Sequence, residues 1–216
     1  TATATPLPAT ATPLPTTATP LPLTGDPRFG VVTHTSNRSD TRYFLEQLGV
    51  NQYLNFRPSL AETPNGATKV PFVQMPGDPD LWNSGQAQTV ASMTDSERAA
   101  LGFTTEATID QMAALSPGSY WYIFGEANRY GFITPTRFAP VFDYYVDVIK
   151  RADPTAKIIG TSILNWDFTC VGCGGRFFCE GVFRSGYGCG KVWLKLFIST
   201  YEDLYGEKPP VDVWAI

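Results

Sequence analysis

The run Tyr120-Trp121-Tyr122-Ile123-Phe124 stops abruptly at Gly125-Glu126-Ala127-Asn128. Uninterrupted aromatic and aliphatic side chains, with no polar alternation, read as a strand covered on both faces. That environment requires a sheet with layers on either side. Such sheets are built from parallel strands joined by helical crossovers, so the rest of the chain should alternate strand and helix.

It does. Phe29 to His34 reads as a first strand. Ser39 is a helix N-cap candidate ahead of Tyr43, Phe44, Leu45 and Leu48, with Gly49 as the stop. Asn51 to Arg57 is a second strand closed by Pro58, and Lys69 to Met75 a third closed by Pro76-Gly77. A long polar stretch, Asp78 to Gly102, follows without a clear element, and Thr105 to Leu115 looks helical. After the Glu126 strand, Phe138, Val141, Phe142, Tyr145, Val148 and Ile149 recur at intervals of three and four and draw one apolar stripe. Thr134-Pro135 starts that helix, and Pro140 is expected to kink it or restart its first turn. Ala156 to Leu164 is a fifth strand, Val192 to Tyr205 a helix stopped by Gly206, and Val211 to Ile216 a sixth strand.

The expected fold class is α/β: a partial (β/α)8 TIM barrel of about six βα units behind a disordered Pro/Thr-rich linker. A doubly wound open sheet has the same grammar. The barrel is preferred because Thr33-His34-Thr35-Ser36-Asn37 carries no glycine-rich phosphate fingerprint after the first strand. Residues 1–25 hold a seven-residue repeat built on Thr-Ala-Thr-Pro-Leu-Pro, whose proline density blocks helix and sheet. The barrel-like domain is expected over 26–216, with a Cys-rich insert at 170–189.

A net charge of −4 with no basic cluster gives no footprint for nucleic acid. No apolar run reaches the roughly 18 to 20 residues of a membrane span. A Pro/Thr stalk before a globular domain suits an extracellular or cell-surface protein.

The segment from Trp121 to Asn128, then Thr134-Pro135 and the helix ending Ile149-Lys150-Arg151-Ala152-Asp153-Pro154, resembles the middle of clan A glycoside hydrolases. Val211-Asp212-Val213-Trp214-Ala215-Ile216 resembles that clan's sixth strand. These are (β/α)8 barrels that cut β-linked sugars with retention. The resemblance spans roughly residues 28 to 216, and its sharp part is about forty residues. It implies Glu126 as the acid/base, a nucleophile Glu at the end of a seventh strand beyond the fragment, no cofactor, and a fragment inactive by itself. Two positions depart from the clan pattern: Gly125 stands where the clan has an Asn that binds the sugar 2-hydroxyl, and Ala127 stands where it has Pro.

Glu126 is the catalytic candidate. An apolar neighbourhood would favour the protonated carboxyl that a general acid needs; the alternative is a Glu that pairs with Arg129. Substrate-binding candidates are Asn128, Arg57, Asn55, His34, Trp166 and Trp82. Arg57 at a strand tip could hold the catalytic carboxylate ionised, and His34, the only histidine, could bond a sugar hydroxyl. Trp166 and Trp82 could stack on a sugar face, while Trp121 and Trp214 read as core. Cys170, Cys173, Cys179 and Cys189 crowd into one glycine-rich insert, as two disulfides or a structural zinc site. The partner is a carbohydrate. A non-catalytic carbohydrate-binding barrel is the alternative, and a surface domain whose insert binds a protein is a third reading.

Overall fold

The structure is a computed structural model that describes residues 29–33, 38–60, 63–164, 166, 168–171, 175–178, 186–187 and 189–215. The expected linker therefore lies outside the described residues.

β1 (Gly30–Val32) leads to α1 (Arg38–Leu48), which buries Thr41 and Leu45, four residues apart, on one face. Gly49 ends it at φ 63°, a left-handed conformation costly for a residue with a Cβ, and Val50 N–H closes back on the Leu45 carbonyl at 3.1 Å. β2 is Gln52–Leu54. The expected third strand is split into β3 (Thr68–Lys69) and β4 (Phe72–Val73). Pro71 lies in the break, where its missing N–H denies one ladder bond.

The polar stretch after β4 is structured, contrary to the sequence reading. It holds α2 (Pro79–Asn83), a 3-10 helix at Gln86–Ser92, and α3 (Asp95–Leu101). Thr94 and Glu97 form a reciprocal capping box on α3. Thr105 caps α4 (Glu106–Leu115), which feeds β5 (Tyr120–Ile123). A 3-10 turn at Ala127–Arg129 precedes α5 (Pro135–Ala152). α5 runs on through Pro140 without a restart. The bond that the proline cannot make is to the carbonyl of Thr136, an exposed residue of the first turn where water can replace it. β6 (Lys157–Ile159) follows. The insert then forms a small antiparallel sheet of β7 (Phe168–Val171), β8 (Gly175–Phe178) and β9 (Gly186–Tyr187), before α6 (Gly190–Tyr205).

Outside the insert the described strands all pair in parallel: β1 to β2, β2 to β3, β4 to β5, β5 to β6, and β6 to Val213 through one bridge. Val70 N–H to the Tyr53 carbonyl (2.8 Å) and Tyr122 N–H to the Pro71 carbonyl (2.9 Å) carry the pairing across the β3/β4 break. The parallel segments therefore lie side by side in chain order. A doubly wound sheet would reverse that order at a switch point, and the described strands show no reversal.

Trp121 and Ile123 are fully buried, as the apolar run demands. The α5 stripe is buried throughout and meets α6, with Phe138 against Trp193 (5.4 Å between ring centroids) and Phe142 against Phe197 (5.3 Å).

Candidate functional site

The carboxyl ends of β2 and β5 are strained. Phe56 (φ 53°), Phe124 (φ 51°) and Glu126 (φ 54°) all adopt the left-handed region. A side chain pays roughly 1 to 2 kcal/mol for that conformation, so the surroundings must impose it. At β5 they do. Phe124 N–H bonds the Val73 carbonyl (3.1 Å), and Arg129 N–H bonds the Glu126 carbonyl (2.8 Å). Beyond β6, Ser162 Oγ accepts the Glu126 N–H (3.0 Å) and Thr161 Oγ1 accepts the Ala127 N–H (3.4 Å). The Asn128 side-chain amide brackets Leu164: its Nδ2 donates to the Leu164 carbonyl, and its Oδ1 accepts the Leu164 N–H at 2.8 Å. The tip of β5 is thus fastened to the chain leaving β6.

Ala127 is where a proline would fail, because the bond to Thr161 needs its N–H. Gly125 has room for a Cβ but no more: one there would sit 3.5 Å from Phe56 and 3.6 Å from the Tyr122 hydroxyl, ordinary contact distances. Phe56, Phe72 and Tyr122 form an aromatic cluster beneath it, with centroids 5.5 to 6.2 Å apart.

The Glu126 carboxylate has Arg129 Nη1 at 3.7 Å, and the two side chains are 42% and 54% exposed. The apolar surroundings expected for Glu126 are therefore absent, and solvent reaches the group directly. The Tyr122 hydroxyl lies 3.6 Å from where a Cβ on the neighbouring Gly125 would sit. Burial pushes the Tyr122 phenol up, hydrogen bonds from Ser162 pull against that, and the Glu126 charge adds to the rise. The arrangement presents a solvent-reached carboxylate at a strand tip.

No protein-family model and no curated protein matches the sequence significantly. One solved structure is similar. It is the endo-β-1,3-glucanase of GH128 (subgroup II) from Sorangium cellulosum, at 15% identity and a TM-score of 0.48, over 87% of this chain. The chain spans 58% of that enzyme's length. A likeness of this degree leaves the chemistry to be argued from the residues themselves.

The other candidate residues divide. Trp166 is 38% exposed, and its carbonyl accepts the Lys191 N–H at the start of α6 (2.9 Å). Trp82 is fully buried, with its indole N–H on the Pro76 carbonyl (2.8 Å). It packs the core and cannot stack on a sugar. Asn128 is also fully buried, and its amide serves the Leu164 backbone instead of facing a ligand. Asn55 is buried, and its Oδ1 accepts the Arg57 N–H (3.3 Å), which shapes the turn after β2. Arg57 is exposed, and the guanidinium beside Glu126 belongs to Arg129. His34, Cys173 and Cys179 lie outside the described residues, as does the side chain of Cys170. Cys189 is buried at the N-cap of α6, with its sulfur 3.4 Å from the Trp166 carbonyl oxygen.

Sequence reasoning passed over Tyr122, Ser162 and Lys69. Tyr122 and Ser162 carried no signal of their own, because their partners are distant in sequence. Lys69 is buried at 3% exposure, and its Nζ donates to the Arg57 carbonyl (2.9 Å) and to the Ser59 carbonyl. A lone Lys opening an apolar strand was a visible hint. Among the described residues no group of His, Cys, Asp and Glu is arranged to hold a metal ion, and no helix is long and apolar enough to cross a membrane. A surface depression of about 340 Å³ opens by the 3-10 helix and α3, bordered by Gln86, Met93 and Leu101, and shares no lining residue with the Glu126 tip.

Proposed function

We propose that this chain carries the acid/base side of a glycoside hydrolase that acts on β-linked poly- or oligosaccharides with retention. The observation that carries the reading is Glu126: a solvent-reached carboxylate at the carboxyl end of a parallel strand, held in a strained backbone conformation by bonds from the segment after β6. Parallel segments in chain order are also the grammar of a (β/α)8 barrel, whose chemistry sits at this end of its strands. In the proposed reaction Glu126 protonates the glycosidic oxygen as the leaving group departs, then takes a proton from the water that releases the sugar. Retention requires a second carboxylate about 5 to 5.5 Å away. The clan A resemblance puts it at the end of the strand following the one at Val213. Trp166 supplies a stacking surface at the rim.

The test is hydrolysis of a panel of β-linked polysaccharides and aryl β-glycosides by the full-length protein and its Glu126→Gln variant. The variant should lose roughly 10²-fold or more in rate while keeping sugar affinity. Equal activity in the two proteins would refute the assignment. A second reading, a non-catalytic carbohydrate-binding domain, is favoured by Gly125 and by the exposure of Glu126. Sugar affinity without turnover in the unmodified protein would select it.

A further inference from the structure

We propose that Lys69 is a positioning residue of the Glu126 site. Its buried ammonium clamps the turn after β2, and that turn sets the Phe56 ring against Gly125, the residue before Glu126. The inference rests on the glycosidase reading and goes beyond it, since Lys69 touches no substrate.

Parallel strands are usually joined through a helix. β2 and β3 pair in parallel, yet the chain between them, residues 55–67, holds no helix among its described residues. Carbonyls in such a connection have no ladder partner and need donors from elsewhere. Lys69, in β3, supplies them: its Nζ donates to the Arg57 carbonyl (2.9 Å) and to the Ser59 carbonyl. The Arg57 carbonyl also accepts the Ser59 N–H (2.9 Å), and Asn55 Oδ1 accepts the Arg57 N–H (3.3 Å). The side chain is buried, at 3% exposure. A buried cation is costly where an apolar side chain of similar length would fill the same space, so the lysine is accounted for by what it holds.

What it holds is a strained turn. Phe56 sits at φ 53°, a conformation its surroundings must impose. From there its ring reaches across to β4 and β5, against Phe72 (5.5 Å between centroids) and Tyr122 (6.2 Å), and lies 3.5 Å from where a Cβ on Gly125 would sit. Gly125 stands between two left-handed residues, Phe124 and Glu126. A glycine there is the most pliable point of the tip, and the Phe56 ring is what packs on it from the side of β2. Lys69 thus acts on the Glu126 carboxylate through the turn, the ring and the glycine.

The experiment measures kcat and KM on an aryl β-glycoside for the full-length protein, Lys69→Met, Phe56→Gly, the double variant and Glu126→Gln, at a temperature where circular dichroism shows each one folded. Methionine fills much of the lysine's space without a donor. Glycine adopts the left-handed conformation at position 56 without strain, so Phe56→Gly keeps the test open if Lys69→Met folds poorly. Each of these two variants should lower kcat by about 10- to 100-fold, the size of a displacement of up to about 1 Å at the reacting atoms, with KM changed by less than about 3-fold. The double variant should be no slower than the slower single one, because both changes break one linkage. An unchanged kcat in Lys69→Met, with only Tm lowered, would show a purely structural lysine and overturn the inference. An unchanged kcat in Phe56→Gly, or losses that multiply in the double variant, would overturn it too. Each of these results leaves the glycosidase reading standing as long as Glu126→Gln abolishes turnover. Absence of turnover by the unmodified protein on every glycoside would overturn that reading and the inference with it.

Discussion

Asn128 offers the sharpest test of how this site is built, because the sequence assigns it to the sugar and the structure assigns it to the backbone. Its side chain is fully buried, with both ends of the amide engaged by Leu164. Asn128→Ala would leave the Leu164 N–H and carbonyl without that partner. One unsatisfied buried polar group costs about 1 to 3 kcal/mol. Two would cost more, but Leu164 is only half-buried and water can reach part of it. The expected loss is therefore about 3 kcal/mol, which for a domain of this size lowers Tm by about 6 to 12 °C. Asn128→Asp should be no milder, since it keeps the acceptor for Leu164 N–H but turns a second oxygen toward the Leu164 carbonyl. Thermal melts followed by circular dichroism, with sugar affinity measured well below Tm, separate the two assignments. A melt within about 2 °C of the unmodified protein, together with lost sugar affinity, would refute the structural role.

Trp82→Ala should cost about 3 to 5 kcal/mol by emptying a core position, while sugar affinity of the folded fraction stays unchanged. A drop in affinity without a drop in Tm would restore Trp82 as a stacking residue. Asp153 carries a pH prediction. The Thr155 hydroxyl, with the backbone N–H groups of Gly118, Thr155 and Ala156, holds its carboxyl below the usual range. A depressed carboxyl contributes stability at pH values above its unfolded pKa of about 3.9, and loses it as the pH falls through the lower folded value. Asp153→Asn should therefore flatten the decline of Tm between about pH 4 and pH 2, and an unchanged slope would contradict this account.

What the sequence by itself determined is local. The apolar stripe from Phe138 to Ile149 is the buried face of α5, and Gly49 and Gly206 end α1 and α6 with positive φ. The uninterrupted run at 120–124 correctly implied a strand buried within a parallel sheet. These outcomes depend on side-chain period and backbone freedom, which neighbours along the chain settle. Part of what was missed was local too: Thr94-x-x-Glu97 is a capping-box signature, yet the polar stretch around it read as loop.

The rest depended on residues far apart in sequence. Nothing near Trp82 or Trp166 distinguishes them, and one is sealed in the core while the other meets solvent. Glu126 and Asn128 stand two residues apart in one motif. β6 and its following segment bring Ser162 and Leu164 against them from 36 positions away. That contact holds the Glu126 backbone in place with its carboxylate in solvent, and it turns the Asn128 amide into the core. A side chain's reach to solvent is set by what packs over it, and a buried polar group takes whichever partner the fold delivers; both are decided only when the strands come together.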